Sequence, residues 1–425
     1  MSVTPLTSVR SMVREPVKPT VTLQRERHDP EYGILVATVA LAAIGILMVY
    51  SSSAIKSYLQ RDDPFAIVGP QIQWAAVGLV MLLVMMRVDY RRLRPLSVVL
   101  LGAGVASLLL VFVPDINIVV GGSARWIKLG PLPAVHPAEF VKLAIVIYLA
   151  HWMEKRGVAI KSLRSGTIPF IAIVAPVVML VLVEPDLGTS SVLAFTAFTM
   201  FFLAGANVFH MVALGAVAVP VVLNRFLHGY QLDRIATLLD PWKDATGDGF
   251  HSVQGFIALA LGGVFGAGLG ESRLAGGLYL PNAFNDFIFA IIGQEFGLVG
   301  GVLVIGLFLA IGYLGIRTSL GAPDTFGALL AAGITAWICI QAFINIGVVV
   351  GLIPVTGIPL PFVSAGGSSL VISFAAMGIL LSISRETVEK GTWNDAPADR
   401  GRGNGRAHLP GPRRRPIAPR PIRRA

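Results

Sequence analysis

Apolar residues run along this chain in long stretches, broken by short polar or glycine–proline segments. A helix that crosses a bilayer needs roughly 20 such residues, with a range of about 17–25. Stretches of that kind lie near 33–54, 70–88, 96–114, 137–153, 167–183, 187–205, 208–226, 287–316, 325–351 and 366–384. The pattern predicts an all-α polytopic membrane protein with ten transmembrane helices. A further apolar run at 255–270 has six glycines in sixteen residues. It is short and poor in helix formers, which fits a re-entrant or interfacial segment better than a span.

Charge orients the spans. Ten passes from a cytoplasmic N-terminus put most of the 34 Lys and Arg residues inside: the leader 1–31, the turns at 87–94 and 155–164, Arg317 and the tail 385–425. That arrangement obeys the positive-inside rule, whereas an eleventh pass would put the Arg-rich tail outside. Both termini are therefore expected in the cytoplasm, on either side of a transmembrane domain at 32–384. The polar loops 115–136, 227–286 and 352–365 then face outward, the largest of them between helices 7 and 8. On that side neither ATP nor a sugar nucleotide is at hand. The leader is long for a signal peptide and reads as an uncleaved signal anchor.

Composition narrows the classes further. The chain is 54% hydrophobic and 14% charged, against about 25% charged in soluble domains. Its single cysteine, Cys339, lies in an apolar run, which rules out an intrachain disulfide and a Cys-based metal site. The tail is basic and rich in Pro, Gly and Arg, a composition that predicts disorder. Its arginines lack interleaved aromatics, so they suit anionic lipid better than nucleic acid. No P-loop motif is present, which argues against ATP-driven transport, and no internal repeat suggests a transporter built on inverted halves.

Polar residues at the helix boundaries carry the candidate chemistry. Asp286 sits where the long loop re-enters the eighth span, with water on one side and a low-dielectric wall on the other. That setting raises a carboxylate's pKa and suits a proton acceptor, although a plain helix cap is the simpler role. Glu139 and Lys142 open the fourth span three residues apart, on one face. They form either a self-neutralised packing pair or a cavity wall with Lys142 offered to an anionic substrate. Arg125 and Lys128 flank Trp126, as interfacial anchors or as phosphate ligands. Asp186 follows Pro185 in a tight turn and can cap the next helix. Glu295 is a further acid inside the eighth span. The stretch Ser364, Ala365, Gly366, Gly367, Ser368, Ser369 can cradle phosphate at a helix start or form a simple turn.

Taken together, these segments resemble the SEDS family of bacterial cell-wall polymerases, the FtsW and RodA family, over nearly all of 32–384. The motifs are Gly122, Ser123, Arg125, Trp126 and Lys128 with Pro137, Ala138, Glu139 and Lys142; Pro185, Asp186, Leu187, Gly188 and Thr189; Leu239, Asp240, Pro241 and Trp242 with Gly249, Phe250 and Gln254; Asp286, Phe287, Ile288, Phe289 and Ala290 with Gly293 and Glu295; and Asn345, Ile346 and Gly347. Leu239-Asp240-Pro241-Trp242 looks more like the FtsW branch. The resemblance implies an inverting peptidoglycan glycosyltransferase that joins lipid II into β-1,4 glycan strands on the outer face of the cytoplasmic membrane during division. It matches the family's essential aspartate to Asp286. It also implies substrate contacts from Arg125, Lys128, Glu139, Lys142, Asp186, Gln254, Glu295 and Ser368. Expected partners are a class B penicillin-binding protein transpeptidase and other divisome proteins, with no nucleic acid. Arg125, Lys142 or a divalent cation (Mg or Mn) would offset the developing charge.

The chain departs from the family at Asn282, Phe284 and Asn285, which replace a Pro-Glu-x-His-Thr/Ser pattern, and at His136 and Ala365. A lone carboxylate is therefore expected to suffice. Competing readings are a lipid II flippase or other transporter, a non-catalytic scaffold for the transpeptidase, and an elongation-type polymerase.

Overall fold

The computed structural model describes residues 25–120, 123–128, 134–226, 230–247, 249–272, 274, 279–280 and 283–388. Most of the basic leader, Gly122, Asn282, and the tail from 389 onward lie outside the described residues, and with them the expectations about signal anchoring and tail disorder.

Helices occupy all ten apolar stretches: α1 (Tyr32–Arg61), α2 (Val68–Arg87), α3 (Leu93–Leu110), α4 (Pro137–Arg156), α5 (Ile168–Val183), α6 (Leu187–Leu203), α7 (Val208–Phe226), and, after two shorter helices, α10 (Ile288–Gly321), α11 (Thr325–Val349) and α12 (Gly367–Ser384). The shorter pair, α8 (Tyr230–Leu239) and α9 (Phe250–Gly262), belong to the long loop. Among the described residues, seven helices are long and apolar enough to cross a membrane, which makes this a multi-pass membrane protein. α1 runs seven residues beyond the expected boundary at 54.

Local sequence sets the helix ends. α4 begins with Pro137 in its first turn, where a missing N–H costs nothing, and Glu139 there answers the helix dipole. Asp186 caps α6 by accepting from the Thr189 N–H at 2.9 Å, and Asp324 caps α11 by accepting from Gly327 at 2.8 Å. α4, α11 and α12 form the buried centre; α2 packs along α12, and α10 runs between α1 and α11. Exposed apolar side chains such as Val80, Val98, Phe195 and Leu309 cover the outside, the surface that hydrocarbon requires.

The eighth apolar stretch is not one continuous helix, as its run of apolar residues implied. Its backbone breaks at Gly297, where φ is 65°. The break exposes carbonyls on one side and N–H groups on the other, and the glycine-rich segment after α9 pairs with both. Ala267 and Gly268 donate to the Gln294 and Glu295 carbonyls at 2.9 and 3.0 Å. Leu298 and Val299 donate to the Gly263 and Val264 carbonyls at 2.9 and 3.2 Å. The 255–270 run is thus a short helix followed by an exposed run of turns whose backbone groups pair with those freed at the break.

Two small ribbons complete the fold. β2 (Asn117–Val120) pairs with β3 (Ser123–Ile127), and β1 (Arg25–Arg27) pairs antiparallel with β4 (Glu386–Val388). The last described residues, 386–388, form the second strand of that pair. At that end of the bundle Arg91 donates to Asp324 at 3.0 Å and to Glu386 at 2.5 Å, tying the α2–α3 turn to the α10–α11 turn and to β4. Arg94 reaches Glu154 at the end of α4 at 2.9 Å.

A side chain on the turns after α9 should be intolerable where they meet the broken helix. At Gly266, with φ of +82°, a Cβ would lie 2.1 Å from the Glu295 carbonyl oxygen; at Gly268 the nearest atom would be 3.6 Å away. Gly266→Ala is expected to abolish recovery of folded protein in detergent. Gly268→Ala should cost only its backbone strain, about 1–3 kcal/mol, and lower the melting temperature of a recoverable protein.

Candidate active site

Asp286 lies in the turn 283–287, directly before α10, and is half-buried. Three successive carbonyls of this turn are held from across the bundle. The Ala365 N–H donates to Phe284 O at 2.9 Å, the Ser364 hydroxyl to Asn285 O at 2.5 Å, and the Asn345 amide to Asp286 O at 2.8 Å. Asn345 also donates to Ile358 O at 2.7 Å, and Gln341, one turn earlier on α11, donates to Pro359 O at 3.0 Å. One face of α11 therefore fixes both the Asp286 turn and the irregular segment before α12. Burial raises the Asp286 pKa above the usual carboxylate range; a backbone hydrogen bond and the nearby His251 and Arg234 pull it back.

Two cavities meet at Asp286. The larger, about 400 Å³, is lined by Arg125, Trp126, His136, Glu139, Asp186, Thr189, Asn285, Asp286, Ser368 and Ser369. The smaller, about 200 Å³, is lined by Arg234, Thr237, His251, Ser252, Phe256, Asp286, Val348 and Ile353. Of the residues singled out in the sequence, Arg125, Glu139, Asp186, Ser368 and Asp286 converge on the larger cavity. Lys128 is exposed at the end of β3 and lines neither, and Gln254 on α9 also lines neither. Glu295 lies at the helix break, accepting from Ser51 on α1 at 2.5 Å.

Lys142 stands behind the cavity wall and is 2% exposed. Its ammonium pairs with Glu139 at 2.8 Å, donates to Gln341 at 2.7 Å and lies over the Trp337 ring. The arrangement corresponds to the self-neutralised pair, and Lys142 is enclosed rather than offered to a substrate. Arg125 is carried to the cavity by β3, with its guanidinium donating to the Glu184 carbonyl at 3.2 Å and to the Pro185 carbonyl. Trp126 faces inward, 5.2 Å from the His136 ring, rather than anchoring at an interface. His136 lies 3.5 Å from Asp186, and burial lowers its pKa, which keeps it neutral near pH 7. Among the described residues no three His, Cys, Asp or Glu side chains are grouped to hold a metal ion.

Sequence reasoning passed over Arg234 and His251. Both lie in the long polar loop, where a lone Arg or His reads as solvated; only the fold of α8 and α9 against 351–355 brings them to Asp286.

Membrane-length helices with two cavities that share Asp286 define a multi-pass membrane protein. Residues 32–389 match the family model FTSW_RODA_SPOVE, described as "Cell cycle protein", and the chain belongs to that family. Stage V sporulation protein E of Bacillus subtilis (strain 168) is 41% identical over 361 residues, covering 85% of this chain and 98% of that protein. A probable peptidoglycan glycosyltransferase FtsW of Trichlorobacter lovleyi is 40% identical over 352 residues, covering 83% and 92%. Among solved structures, a chain of "Structural coordination of polymerization and crosslinking by a peptidoglycan synthase complex" aligns with a TM-score of 0.68 at 28% identity, covering 84% of this chain and 98% of that one. The rod shape determining protein RodA of Thermus thermophilus aligns with a TM-score of 0.62 at 26% identity, covering 84% and 97%.

Glu184 supplies a test of the site's electrostatics. It is 1% exposed, and neither carboxylate oxygen has a hydrogen-bond partner among the described residues. Burial, reinforced by Asp186 and opposed by Arg125, pushes its pKa up to about 8. The folded state then binds more protons than the unfolded state between the ordinary carboxylate pKa and about 8, so this group's contribution to stability falls as pH rises through that window. Glu184→Gln should raise the melting temperature at pH 9, with the gain shrinking toward pH 5. Asn345→Ala, which removes both of the amide's hydrogen bonds, should cost about 1–3 kcal/mol and reduce activity, as read by thermal melts and product formation.

Proposed function

We propose that this chain is a peptidoglycan glycosyltransferase that polymerises lipid II into β-1,4 glycan strands during cell division, with Asp286 as general base. The observation that carries this reading is the half-buried carboxylate shared by two cavities, one side for each substrate of a transfer reaction. The names of the relatives support the activity, and the resemblance of the fold to a chain of a peptidoglycan synthase complex supports a class B penicillin-binding protein as partner.

The chemistry fits one carboxylate. Glycoside hydrolysis typically uses two because its leaving alcohol must be protonated. A lipid-linked pyrophosphate already leaves readily, so the reaction needs one base for the acceptor 4-hydroxyl and positive charge for the departing anion. A raised pKa suits Asp286 to accept that proton. Attack on an α-linked donor gives the β product, hence inversion. In the larger cavity the Trp126 ring offers a face to a sugar, while Asp186, Thr189, Asn285 and Ser368 offer hydrogen-bonding groups to its hydroxyls. Arg125 adds positive charge at its rim.

The chain crosses the cytoplasmic membrane ten times, with the tails 1–31 and 385–425 in the cytoplasm and the cavities facing out. The pairing of β1 with β4, which sets the two ends of the helical domain side by side, supports an even number of passes.

Polymerisation of purified lipid II in the presence of the cognate transpeptidase tests the assignment. Wild type should form glycan strands. Asp286→Asn should fold and bind its partner yet make none, a loss of at least about a hundredfold for a general base. Normal polymer from Asp286→Asn would refute the base. No polymer from either protein, with folding and partner binding intact, would favour lipid translocation or scaffolding instead.

A further inference from the structure

We infer that the smaller cavity is the leaving-group subsite: it receives the prenyl-linked pyrophosphate of the donor, with Arg234 as its cation and His251 as a further polar group beside it. This rests on the glycosyltransferase reading above and assigns one of its two chambers.

An inverting displacement sets the geometric requirement. The incoming oxygen and the departing oxygen lie on opposite faces of the sugar carbon, and the base has to reach the incoming one. A carboxylate at the junction of two cavities can do so with the acceptor in one chamber and the leaving group in the other. The linings separate the two. The larger cavity carries Asp186 and Asp286 with Arg125 at its rim. Its third acid, Glu139, is balanced from behind by Lys142, and Glu139 and Asp186 already answer two of the helix ends there. A pyrophosphate would thus meet two unbalanced carboxylates beside one cation. Among the described residues lining the smaller cavity, Asp286 is the only acid, and Arg234 and His251 face it. A guanidinium is the side chain best matched to phosphate oxygens, through paired charge-assisted hydrogen bonds.

The rest of the lining fits the same ligand. Phe256, Val348 and Ile353 give this chamber an apolar side, as the first isoprene unit attached to a pyrophosphate requires. Arg234 is also fixed in place: it donates to the Val355 carbonyl at 2.5 Å, on the segment whose Ile358 carbonyl Asn345 binds together with that of Asp286. Cation and base are thus referenced to one piece of backbone. In the step itself, the acceptor oxygen bonds to C1 of the donor sugar and its proton passes to Asp286. The C1–O bond to the pyrophosphate breaks, and its electron pair leaves with the pyrophosphate, whose growing charge Arg234 offsets. The proton is later released from Asp286 to solvent.

Undecaprenyl pyrophosphate is the probe, with full-length protein and its transpeptidase partner. Direct binding is measured on the Asp286→Asn protein, which does not consume substrate, and inhibition of lipid II polymerisation is measured on the wild-type background. Arg234→Ala should weaken binding, and raise the inhibition constant, by about tenfold or more, the loss of one charge-assisted contact. Arg234→Lys should recover part of the loss, and His251→Ala should have a smaller effect. Inorganic pyrophosphate should compete in Arg234-containing protein but not in Arg234→Ala, which separates recognition of the anion from recognition of the lipid. Should Arg234→Ala not fold, Arg234→Gln takes its place with the same expectation. Binding unchanged by either substitution overturns the assignment, as does a loss that follows Arg125→Ala instead. Polymer made by Asp286→Asn would overturn the base, whatever Arg234 does; an inert Asp286→Asn with normal binding after Arg234→Ala would overturn this subsite alone.

Discussion

A peptide group inside a bilayer has no water to bond with, and this structure depends on how its irregular backbone is satisfied there. Two of the stretches that leave helical geometry are closed by backbone hydrogen bonding near the site. At Gly297 the break in α10 is closed by the turns at 263–268, donor for acceptor. At 284–286 the three carbonyls before α10 are bound by Asn345, Ser364 and Ala365. Asp286 occupies the second of these. An unwound turn frees a carboxylate from helix packing, and the same hydrogen bonds that make the turn permissible also fix where that carboxylate points.

Charge in the larger cavity follows from the helices that begin there. α4, α6 and α12 all start at its wall, each directing the positive end of its dipole inward. Glu139 in the first turn of α4 and Asp186 at the cap of α6 answer two of these ends, whereas α12 starts at Gly366 with no side-chain cap. Lys142 then balances Glu139 from behind. Its removal would strand a buried carboxylate, so the pair matters through what each member prevents rather than through the energy of the contact itself.

The helices were legible because twenty apolar residues in a row have few alternatives, and the glycines of 255–270 fall where helix α9 gives way to turns. Residues that act through their local boundary were legible as well: Asp186 as a cap, Pro137 and Glu139 as a helix start, Asp286 at a re-entry point. What failed was whatever required a partner distant in sequence. Gly297 is one glycine among many in α10, and nothing nearby marks it as the place where residues 263–268 will dock. Glu295, a further acid inside a span, meets Ser51 of α1, a contact that no neighbouring residue signals. Arg234 and His251 carry no periodicity, and their closeness to Asp286 exists only once α8 and α9 fold back on the 351–355 segment.

The ribbon between β1 and β4 has a consequence for how the chain is made. It joins residues 25–27 to 386–388, so nearly the whole helical domain forms the loop that this pairing closes. A ribosome releases the first strand long before the second exists, and α2 likewise waits for α12, the neighbour it packs along. α2 must therefore remain without its main packing partner until α12 has been made. The entropy of closing so long a loop grows only slowly with its length, but arrival order is fixed by synthesis. Completion of the fold is tied to the final segment, and a chain truncated before β4 loses Glu386, the acid by which Arg91 joins that strand to the neighbouring turns.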